Sequence, residues 1–350
     1  MEKERGKVWV HLASVGEFNT ARPILRELYS RHHVVLTYFS FRAKEYLKSQ
    51  QGKGYFHELY RLPPDVPLLM KFFEKKVEPE AILIFERELW PSLLLFTRAP
   101  KVWLNAYAKG RFLESFLSRR FCLIVARREE DAETFRRYSC RKVLTCGNLK
   151  FALEEPSPTH LKVEGSKLVV AGSTHPGEEE LLLEAFRKLR VEFPDLRLIV
   201  APRHVSRATQ VAELFKAFRV SLRSKEEEDW DVLVVDTLGE LFSLYAHARV
   251  AVVGGTFVPV GGHNLLEPAY FGKPVLYGPY THKVEDLRSF VESRSMGFCV
   301  RDPSELYERL HGLLAEEFLT EFSLKEHSQE VLRCYLRALE EFWSDCVKIV

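Results

Sequence analysis

Short apolar runs alternate with longer amphipathic segments along the whole chain. In the first half, Val8–Leu12, Val34–Phe39 and Ala81–Phe85 have the length and composition of buried strands. The segments between them carry apolar residues three and four positions apart, which predicts helices. Strands that alternate with helices favour right-handed βαβ units and a parallel sheet. The other strands predicted in this half are Val102–Asn105, Leu123–Ala126 and Lys142–Thr145.

The same alternation begins again after a polar stretch with two prolines, EEPSPTHLKVEG. We therefore predict an α/β protein with two Rossmann-like, doubly wound domains, 1–153 and 166–320, joined by the linker 154–165. The last segment, 321–350, is predicted to be helical and to pack back on the first domain. Because ligands of such sheets bind beyond the carboxyl ends of the strands, we expect an active site in the interdomain cleft.

One glycine-rich stretch, Ala251–Pro268, suggests a nucleotide site in the second domain. An apolar run predicts a buried strand, which leads into two glycine pairs and then a helix that begins near Asn264. Glycines allow a ligand to approach the backbone closely, and a helix N-terminus suits a phosphate. Glu267 could accept hydrogen bonds from ribose hydroxyls. The loop is neither GxGxxG nor GxxxxGK[ST], so it indicates neither NAD nor a P-loop, and a loop that merely needs four glycines is the alternative.

Carboxylates follow two predicted strands of the first domain. Glu17 lies where the strand Val8–Leu12 turns into a helix, and Glu86 and Glu88 follow the strand Ala81–Phe85. We expect Glu17 to stay ionised near the helix N-terminus, as suits a general base, although a dipole-complementing glutamate has the same pattern. Lys150 follows the last strand and could offset a negative charge on a donor, or be simply solvated.

Other strand ends of the second domain offer groups for a nucleotide. Arg203, after Pro202, has the forked and permanently charged donors that suit a phosphate. Leu238, Gly239 and Glu240 follow another strand and place a glycine backbone and a carboxylate at the same edge. The loop Gly172–Gly177 is explained as a helix start with a Ser/Thr cap.

Metal, covalent and disulfide chemistry have little support in the sequence. The Asp229–Trp230–Asp231 pattern stands in an acidic run with Glu226–Glu228 and is interpreted as solvated surface. His11, His32, His33 and His263 show no partner spacing and are interpreted as structural. The six cysteines form no CxxC pair and are predicted to be reduced thiols. The sequence contains no apolar run of 18 or more residues.

The net charge of +2 conceals an asymmetry between the halves. Residues 1–150 contain 28 Lys and Arg against 17 Asp and Glu, whereas the remainder contains 23 against 32. A basic first domain suggests an anionic partner: nucleic acid, anionic lipid or a phosphorylated substrate. Its basic residues are interleaved with large apolar ones, as around Met70–Lys76 and Arg111–Phe121, which favours a membrane surface. Ordinary amphipathic helices with solvated basic faces are the alternative.

Taken together, these motifs resemble the 3-deoxy-D-manno-octulosonic acid (Kdo) transferases of lipopolysaccharide synthesis. The resemblance runs over nearly the whole chain, and its motifs occur in the order of that family. They are SVGE (14–17), ERELWP (86–91), GNLKF (147–151), PRH (202–204), LGE (238–240), and GG (254–255) through GHNLLE (262–267).

The resemblance implies a GT-B fold and inverting, metal-independent transfer of Kdo from CMP-Kdo to a tetraacyldisaccharide lipid A precursor (lipid IVA), without a cofactor. It implies that Glu17 is the catalytic base and that Glu86 and Lys150 assist the transition state. It also implies a peripheral location on the cytoplasmic face of the bacterial inner membrane, with an anionic membrane surface and no nucleic acid as partner. The positions that match CMP contacts are Pro202, Arg203, Leu238, Gly239, Glu240, Asn264, Leu265, Leu266 and Glu267.

The chain departs from many relatives of this family at three places. It starts almost at the first strand, where relatives begin with an apolar anchor, so it anchors by surface contact or has a shortened N-terminus. Tyr107 and Ala152 stand where many relatives have arginine and aspartate, which affects the acceptor side. Another GT-B enzyme, such as a UDP-sugar transferase or a nucleotide-sugar epimerase, is the nearest alternative. A non-catalytic nucleic-acid binder is the alternative from another class.

Overall fold

The computed structural model describes residues 6–159, 161, 163, 167–225 and 227–347. The chain divides into two compact units by its internal contacts. Unit 1 consists of Met1–Glu154 and Glu326–Val350, and unit 2 of Glu155–Lys325. In the predicted linker, residues 160, 162, 164 and 165 lie outside the described residues, as do the first residue of the predicted second domain, residue 166, and Glu226 of the acidic run.

Unit 1 is built on a parallel sheet of seven strands in the order β3-β2-β1-β4-β5-β6-β7. The order reverses between β1 and β4, so the loops after these two neighbouring strands diverge and leave a crevice at their carboxyl ends. The strands are β1 (Lys7–Leu12), β2 (His33–Tyr38), β3 (Glu58–Arg61), β4 (Ala81–Phe85), β5 (Lys101–Ala106), β6 (Leu123–Ala126) and β7 (Val143–Thr145).

Helices cover both faces of this sheet, which explains why its central strands are continuous apolar runs. The helices are α1 (Val15–Arg31), α2 (Ala43–Ser49), α3 (Pro67–Val77), α4 (Pro91–Phe96), α5 (Phe112–Ser118) and α6 (Glu129–Arg137). The first helix begins at Val15, because the Ser14 hydroxyl accepts from the Glu17 N–H and caps it. Glu17 thereby lies in its first turn.

Unit 2 repeats the architecture with a parallel sheet in the order β10-β11-β9-β8-β12-β13-β14. Here the order reverses between β8 and β12. The strands are β8 (Leu168–Thr174), β9 (Arg197–Pro202), β10 (Val220–Leu222), β11 (Val232–Val234), β12 (Val250–Val253), β13 (Val275–Tyr277) and β14 (Gly297–Cys299). The helices are α7 (Glu178–Glu192), α8 (Ala208–Leu214), α9 (Leu241–Leu244), α10 (Leu266–Tyr270), α11 (Glu285–Ser293) and α12 (Pro303–Ala315). The predicted two-domain, Rossmann-like α/β fold is confirmed.

The last long helix, α13 (Leu324–Phe342), packs into unit 1. Its residues Val331, Tyr335, Leu339 and Phe342 are buried among the apolar side chains of β1, β2 and β4. A π-helical turn, Trp343–Val347, follows it. The chain therefore leaves the first sheet, builds the second, and returns to complete the core of the first.

A disulfide joins α13 to the end of β7 in unit 1. Cys146 and Cys334 are bonded although 188 residues separate them in sequence. The prediction that all six cysteines are reduced is therefore wrong for these two, because sequence spacing does not reveal that the returning helix packs beside Cys146. Cys122, Cys140, Cys299 and Cys346 are free.

Candidate active site

Three carboxylates gather at the point where the strand order of unit 1 reverses. Glu17 is in the first turn of α1 after β1, and Glu86 and Glu88 directly follow β4, the neighbour of β1. The sequence predicted this meeting, because the carboxyl ends of parallel strands lie at one edge of a sheet. The three side chains lie close enough together that the negative charges of Glu88 and Glu86 both raise the pKa of Glu17.

Glu17 is held so that its carboxylate is difficult to ionise. Its pKa is raised from 4.5 to about 7, chiefly by burial and also by the negative charges of Glu88 and Glu86, against hydrogen bonds from the Ala13 N–H and the Ser14 hydroxyl. The Ala13 N–H donates to Oε2 at 2.8 Å. The expectation that Glu17 simply stays ionised is therefore wrong, because desolvation and like charges outweigh the helix N-terminus. A pKa near 7 suits a general base at neutral pH.

Glu86 is fixed in an unusual backbone conformation. Its φ of 53° lies in the left-handed region, which a glutamate seldom adopts. Arg127 pairs with its carboxylate at 2.9 Å, and the Asn105 amide lies 3.4 Å from the same oxygen. Because a guanidinium is paired with Glu86, its carboxylate is better suited to hold a neighbouring charged group in position than to abstract a proton.

Asn105 connects Glu86 with the segment that carries Lys150. It is fully buried, also has a positive φ of 54°, and accepts a hydrogen bond from the Leu149 N–H at 3.0 Å. Leu149 begins the 3₁₀ turn Leu149–Phe151, which contains Lys150. Asn105 thus links Glu86 to Leu149, the residue that precedes Lys150 in the chain.

The Glu88 carboxylate contacts two aromatic side chains, those of Trp90 and His11. Its Oε2 accepts a hydrogen bond from Trp90 Nε1 at 2.8 Å and lies 3.5 Å from His11 Nε2. His11 is buried on β1, and its Nδ1 lies 3.0 Å from the Thr37 hydroxyl. The prediction that His11 is structural is consistent with these contacts, yet its ring faces the carboxylate cluster.

The polar groups that hold this cluster were missed by the sequence argument. Arg127 and Asn105 each follow or end a different strand, and Tyr335 on α13 donates to the Gly147 carbonyl oxygen at 2.9 Å beside Asn105. The only signals available were the positions of Arg127 directly after a predicted strand and of Asn105 at the end of another.

The candidate nucleotide residues of unit 2 lie at the carboxyl ends of three strands. Pro202 ends β9 and precedes the exposed Arg203, whose N–H donates to the Thr174 carbonyl oxygen. Leu238 and Gly239 are exposed in the turn after β11. The Glu240 carboxylate accepts from the Thr237 hydroxyl at 2.6 Å and pairs with Arg223 at 3.1 Å; although burial opposes them, these contacts lower its pKa.

The remaining candidates open α10, after β12. Asn264 Oδ1 accepts from the Leu266 N–H at 3.1 Å, and its amide donates to Glu267 at 3.2 Å. Leu265 and Leu266 are buried, so their side chains belong to the core and only their backbone can meet a ligand. Asn264 and Glu267 are half-buried and therefore within reach of one.

The glycine amides between β12 and α10 are used within unit 2. Glu178, the first residue of α7, is buried and accepts hydrogen bonds from the N–H groups of Gly255, Thr256 and Phe257 at 2.8–3.1 Å. The Gly261 and Gly262 N–H groups donate to the Gly255 carbonyl oxygen. The glycine pairs therefore shape the loop, and these five N–H groups are not free to bind a phosphate. The predicted Ser/Thr cap of α7 is also wrong, since Ser173 and Thr174 belong to β8 and Gly177 precedes the helix.

No group of three or more His, Cys, Asp or Glu residues suited to a metal ion occurs in the part of the chain that the structure describes. The interpretation of Asp229–Trp230–Asp231 as solvated surface is half wrong. Asp229 is exposed, but Trp230 is buried and Asp231 pairs with Arg190 and Arg219. Asp231 is therefore part of the internal structure of unit 2.

Three short helices of unit 1, α3, α4 and α5, pack next to one another and carry exposed apolar side chains beside cations. Phe112 is 90% exposed and Phe72 61%, and Lys71 and Arg120 lie over the rings of Phe96 and Phe116. We call this set the basic-apolar surface. It comprises Leu68, Leu69, Lys71, Phe72, Lys75, Phe96, Phe112, Leu113, Phe116 and Arg120. Among the described residues, no helix is both long and apolar enough to cross a bilayer.

Comparison with known proteins agrees with this arrangement. A family model described as 3-deoxy-D-manno-octulosonic-acid transferase matches residues 1–153. A protein of Aquifex aeolicus named 3-deoxy-D-manno-octulosonic acid transferase is 45% identical over 338 residues, covering 97% of this chain and 94% of its own length. The chain belongs to the Kdo transferase family. It is therefore a glycosyltransferase.

Solved structures share the fold over nearly the whole chain. A UDP-GlcNAc 2-epimerase from Neisseria meningitidis matches with a TM-score of 0.57 and 12% identity, covering 96% of this chain and all of its own. The glycosyltransferase of kitacinnamycin matches with a TM-score of 0.54 and 13% identity, covering 98% and 99%. At such identities the likeness concerns the fold alone, which is the predicted GT-B type.

Proposed function

We propose that the protein transfers Kdo from CMP-Kdo to a tetraacyldisaccharide lipid A precursor, lipid IVA, in lipopolysaccharide biosynthesis. In this proposal the reaction inverts the anomeric carbon and uses no metal. The acceptor hydroxyl attacks that carbon while CMP leaves from the opposite face, and Glu17 takes the hydroxyl proton. A nucleoside monophosphate leaving group contains no diphosphate for a cation to bridge.

The observation that carries the proposal is the state of Glu17. A carboxyl group with a pKa of about 7, beside two further carboxylates at the strand-order reversal, has the properties of a general base. An ordinary helix-capping glutamate would be exposed and ionised well below pH 7. Membership of the Kdo transferase family supplies the reaction that such a base would serve.

Glu86 and Lys150 are proposed to assist the transition state without accepting the proton. The pairing of Glu86 with Arg127 favours these roles, because a carboxylate that is held in an ion pair with a guanidinium is a poor proton acceptor. Asn105 ties both segments together, so the positions of Glu86 and Lys150 depend on each other.

Unit 2 is proposed to bind the CMP part of the donor. Arg203, Asn264 and Glu267 are the side chains available to a ligand, whereas Leu265 and Leu266 would act through their backbone. Glu240 and Gly239, at the end of β11, complete the proposed set with Pro202 and Leu238. Because a UDP-GlcNAc 2-epimerase shares the fold, the preference for cytosine over uracil in the nucleotide is a matter for measurement.

The nucleotide preference tests this assignment most simply. Titration calorimetry with CMP and UDP is expected to give binding of CMP and much weaker binding of UDP. An Arg203→Gln variant is expected to lose about tenfold or more in CMP affinity, since a charged hydrogen bond to a phosphate is removed. Arg187→Gln, on the surface of unit 2, is the matched control. Preferential binding of UDP would contradict the proposal.

The basic-apolar surface is proposed to rest on anionic lipid at the cytoplasmic face of the bacterial inner membrane. Exposed phenylalanines beside cations can enter the headgroup region while the cations meet lipid phosphates. A lipid acceptor with phosphates would be met at the same surface. No nucleic acid enters the proposal.

A further inference from the structure

Two histidines meet where the strand order of unit 2 reverses. His175 follows β8 and His263 lies in the loop after β12. Their Nε2 atoms are 2.9 Å apart and their rings are coplanar within 1°. A hydrogen bond between two Nε2 atoms needs one protonated and one bare nitrogen, so the two neutral rings share a single proton between them. The sequence interpretation of His263 as structural did not anticipate this pair.

The glycine loop allows His263 to lie in this place. Gly255 has a φ of 68°, and a Cβ added to it would stand 2.8 Å from His263 Cδ2. The imidazole therefore packs directly on the backbone of the loop. Both rings of the pair are only half-buried, so a ligand at the strand ends can reach them.

The charges that face the pair come from three elements. Arg203 and His204 follow β9, Lys283 precedes α11, and Glu178 and Glu179 open α7. The two carboxylates are engaged, Glu178 by backbone N–H groups and Glu179 by Arg207 at 2.8 Å.

These surroundings keep the pair neutral in the free protein. The pKa of His263 is lowered to about 4, chiefly by burial and also by the neighbouring His175, Arg203, Lys283 and His204. Burial also lowers the pKa of His175, more than Glu178 raises it. At pH 7 the site therefore has positive neighbours and an uncharged centre, an arrangement that an incoming anion would change.

Side chains are available to bind an anion at this place. The amides of the glycine loop donate to Glu178 and to the Gly255 carbonyl oxygen, as described above. The side chains at these strand ends that can contact an anion are those of His175, His263 and Arg203. A phosphate beside the pair would favour the protonated form, because an opposite charge nearby raises the pKa of an imidazole.

We propose that His175 and His263 form the phosphate subsite of the nucleotide site, and that the pair takes up one proton from solvent when the phosphate binds. This inference rests on the proposed CMP-sugar function and deepens it. During transfer, the bond between the anomeric carbon and the phosphate oxygen breaks and its electron pair remains on the phosphate. The protonated pair then donates a hydrogen bond to that oxygen, while the acceptor proton goes to Glu17. The pair releases its proton as CMP leaves.

Proton uptake on binding is measured by titrating the full-length protein with CMP at pH 8 in two buffers of different ionisation enthalpy. The heat is expected to depend on the buffer, with a slope that corresponds to net proton uptake on CMP binding. Cytidine, which has no phosphate, is expected to bind without this dependence. At this pH free CMP is a dianion, and a proton taken up on binding could reside on its phosphate or on the histidine pair. Variants of the two histidines distinguish these two sites.

His263→Gln is expected to abolish the uptake and to weaken CMP binding about 10- to 100-fold, while cytidine binding is retained. His175→Gln should act in the same way. His311→Gln, on the exposed face of α12, is the matched control and should leave both unchanged. Retained cytidine binding also shows that a variant is folded.

The results distinguish failure of the inference about the histidine pair from failure of the proposed function. CMP binding without buffer dependence, or uptake that survives in both histidine variants, overturns the inference and leaves the proposed function standing. Binding of UDP in place of CMP overturns the proposed function and the inference with it.

Discussion

At the scale of single residues, the proposed chemistry depends on an unfavourable environment for one carboxyl group. Glu17 is buried beside Glu88 and Glu86, which keeps its pKa at about 7. Glu86 and Asn105 occupy left-handed backbone conformations, and both hold the surroundings of this group. Such features are costly for folding and cluster at functional sites.

The charge of Glu88 should be visible in the pH dependence of the enzyme. Because that negative charge raises the pKa of Glu17, a Glu88→Gln variant is expected to move the acidic limb of the kcat/KM profile to lower pH. Full pH profiles of the transferase activity measure this shift independently of any loss in rate. Glu45→Gln, an exposed change on α2, serves as control. An unmoved acidic limb would mean that Glu88 does not act on the base.

Glu17 should also make the protein less stable at alkaline pH. Its pKa is about 7 when folded and 4.5 as the unperturbed value, so between these values the unfolded state binds fewer protons. Stability is therefore lost as the pH rises through 7. Glu17→Gln is expected to raise the Tm at pH 8 and to have little effect at pH 4.5, as measured by thermal unfolding at both values. Glu184→Gln is the exposed control, and an equal effect at both pH values would contradict the assigned pKa.

At the scale of elements, the sequence predicted the central strands and missed three at the edges of the sheets, β3, β10 and β14. Central strands are covered on both faces and form apolar runs, whereas Glu58–Arg61 at one edge is only half-buried and reads ELYR. The positions of Glu17 and Glu86 followed from where predicted strands end. Arg127, Asn105 and the pairing of His175 with His263 did not, because each contact joins segments far apart in sequence.

The disulfide between β7 and α13 is expected to stabilise unit 1. Closing a loop of 188 residues removes entropy from the unfolded chain, worth at most about 5 kcal/mol in the chain-entropy model. Cys334→Ser should lower the free energy of unfolding, and a reducing agent should do the same to the unaltered protein but not to the variant.

The matched control for this bond is Cys140→Ser, since Cys140 is a free thiol of the same unit. The free energy of unfolding is measured by denaturant titration, with and without reductant, for the unaltered protein and for both variants. An unaltered protein that unfolds identically in both conditions would show that the bond contributes nothing.

At the scale of the whole molecule, the charges are divided between the two halves of the chain. The basic first half carries the basic-apolar surface, and the acidic second half carries the proposed nucleotide site, where Arg203 and Lys283 lie near His263. This division suits one unit that meets an anionic lipid and another that selects an anionic nucleotide without general attraction to polyanions.

Vesicle binding tests the first part of this division. Sedimentation with liposomes is expected to show binding to anionic vesicles that weakens as salt is raised. Phe112→Ser should reduce binding about tenfold, because an exposed ring can no longer enter the headgroup region. Val191→Ser, equally exposed on α7, is the control. Equal binding to neutral and anionic vesicles would refute the electrostatic part.

The most direct test of the central claim is the transfer reaction itself, followed by mass spectrometry of the lipid. With CMP-Kdo and lipid IVA, the unaltered protein is predicted to yield Kdo-bearing product. Glu17→Gln is predicted to be slower by ~10²–10⁴-fold, with its CMP affinity preserved. Product formed by Glu17→Gln at the unaltered rate, or no Kdo transfer by the unaltered protein, would contradict the account.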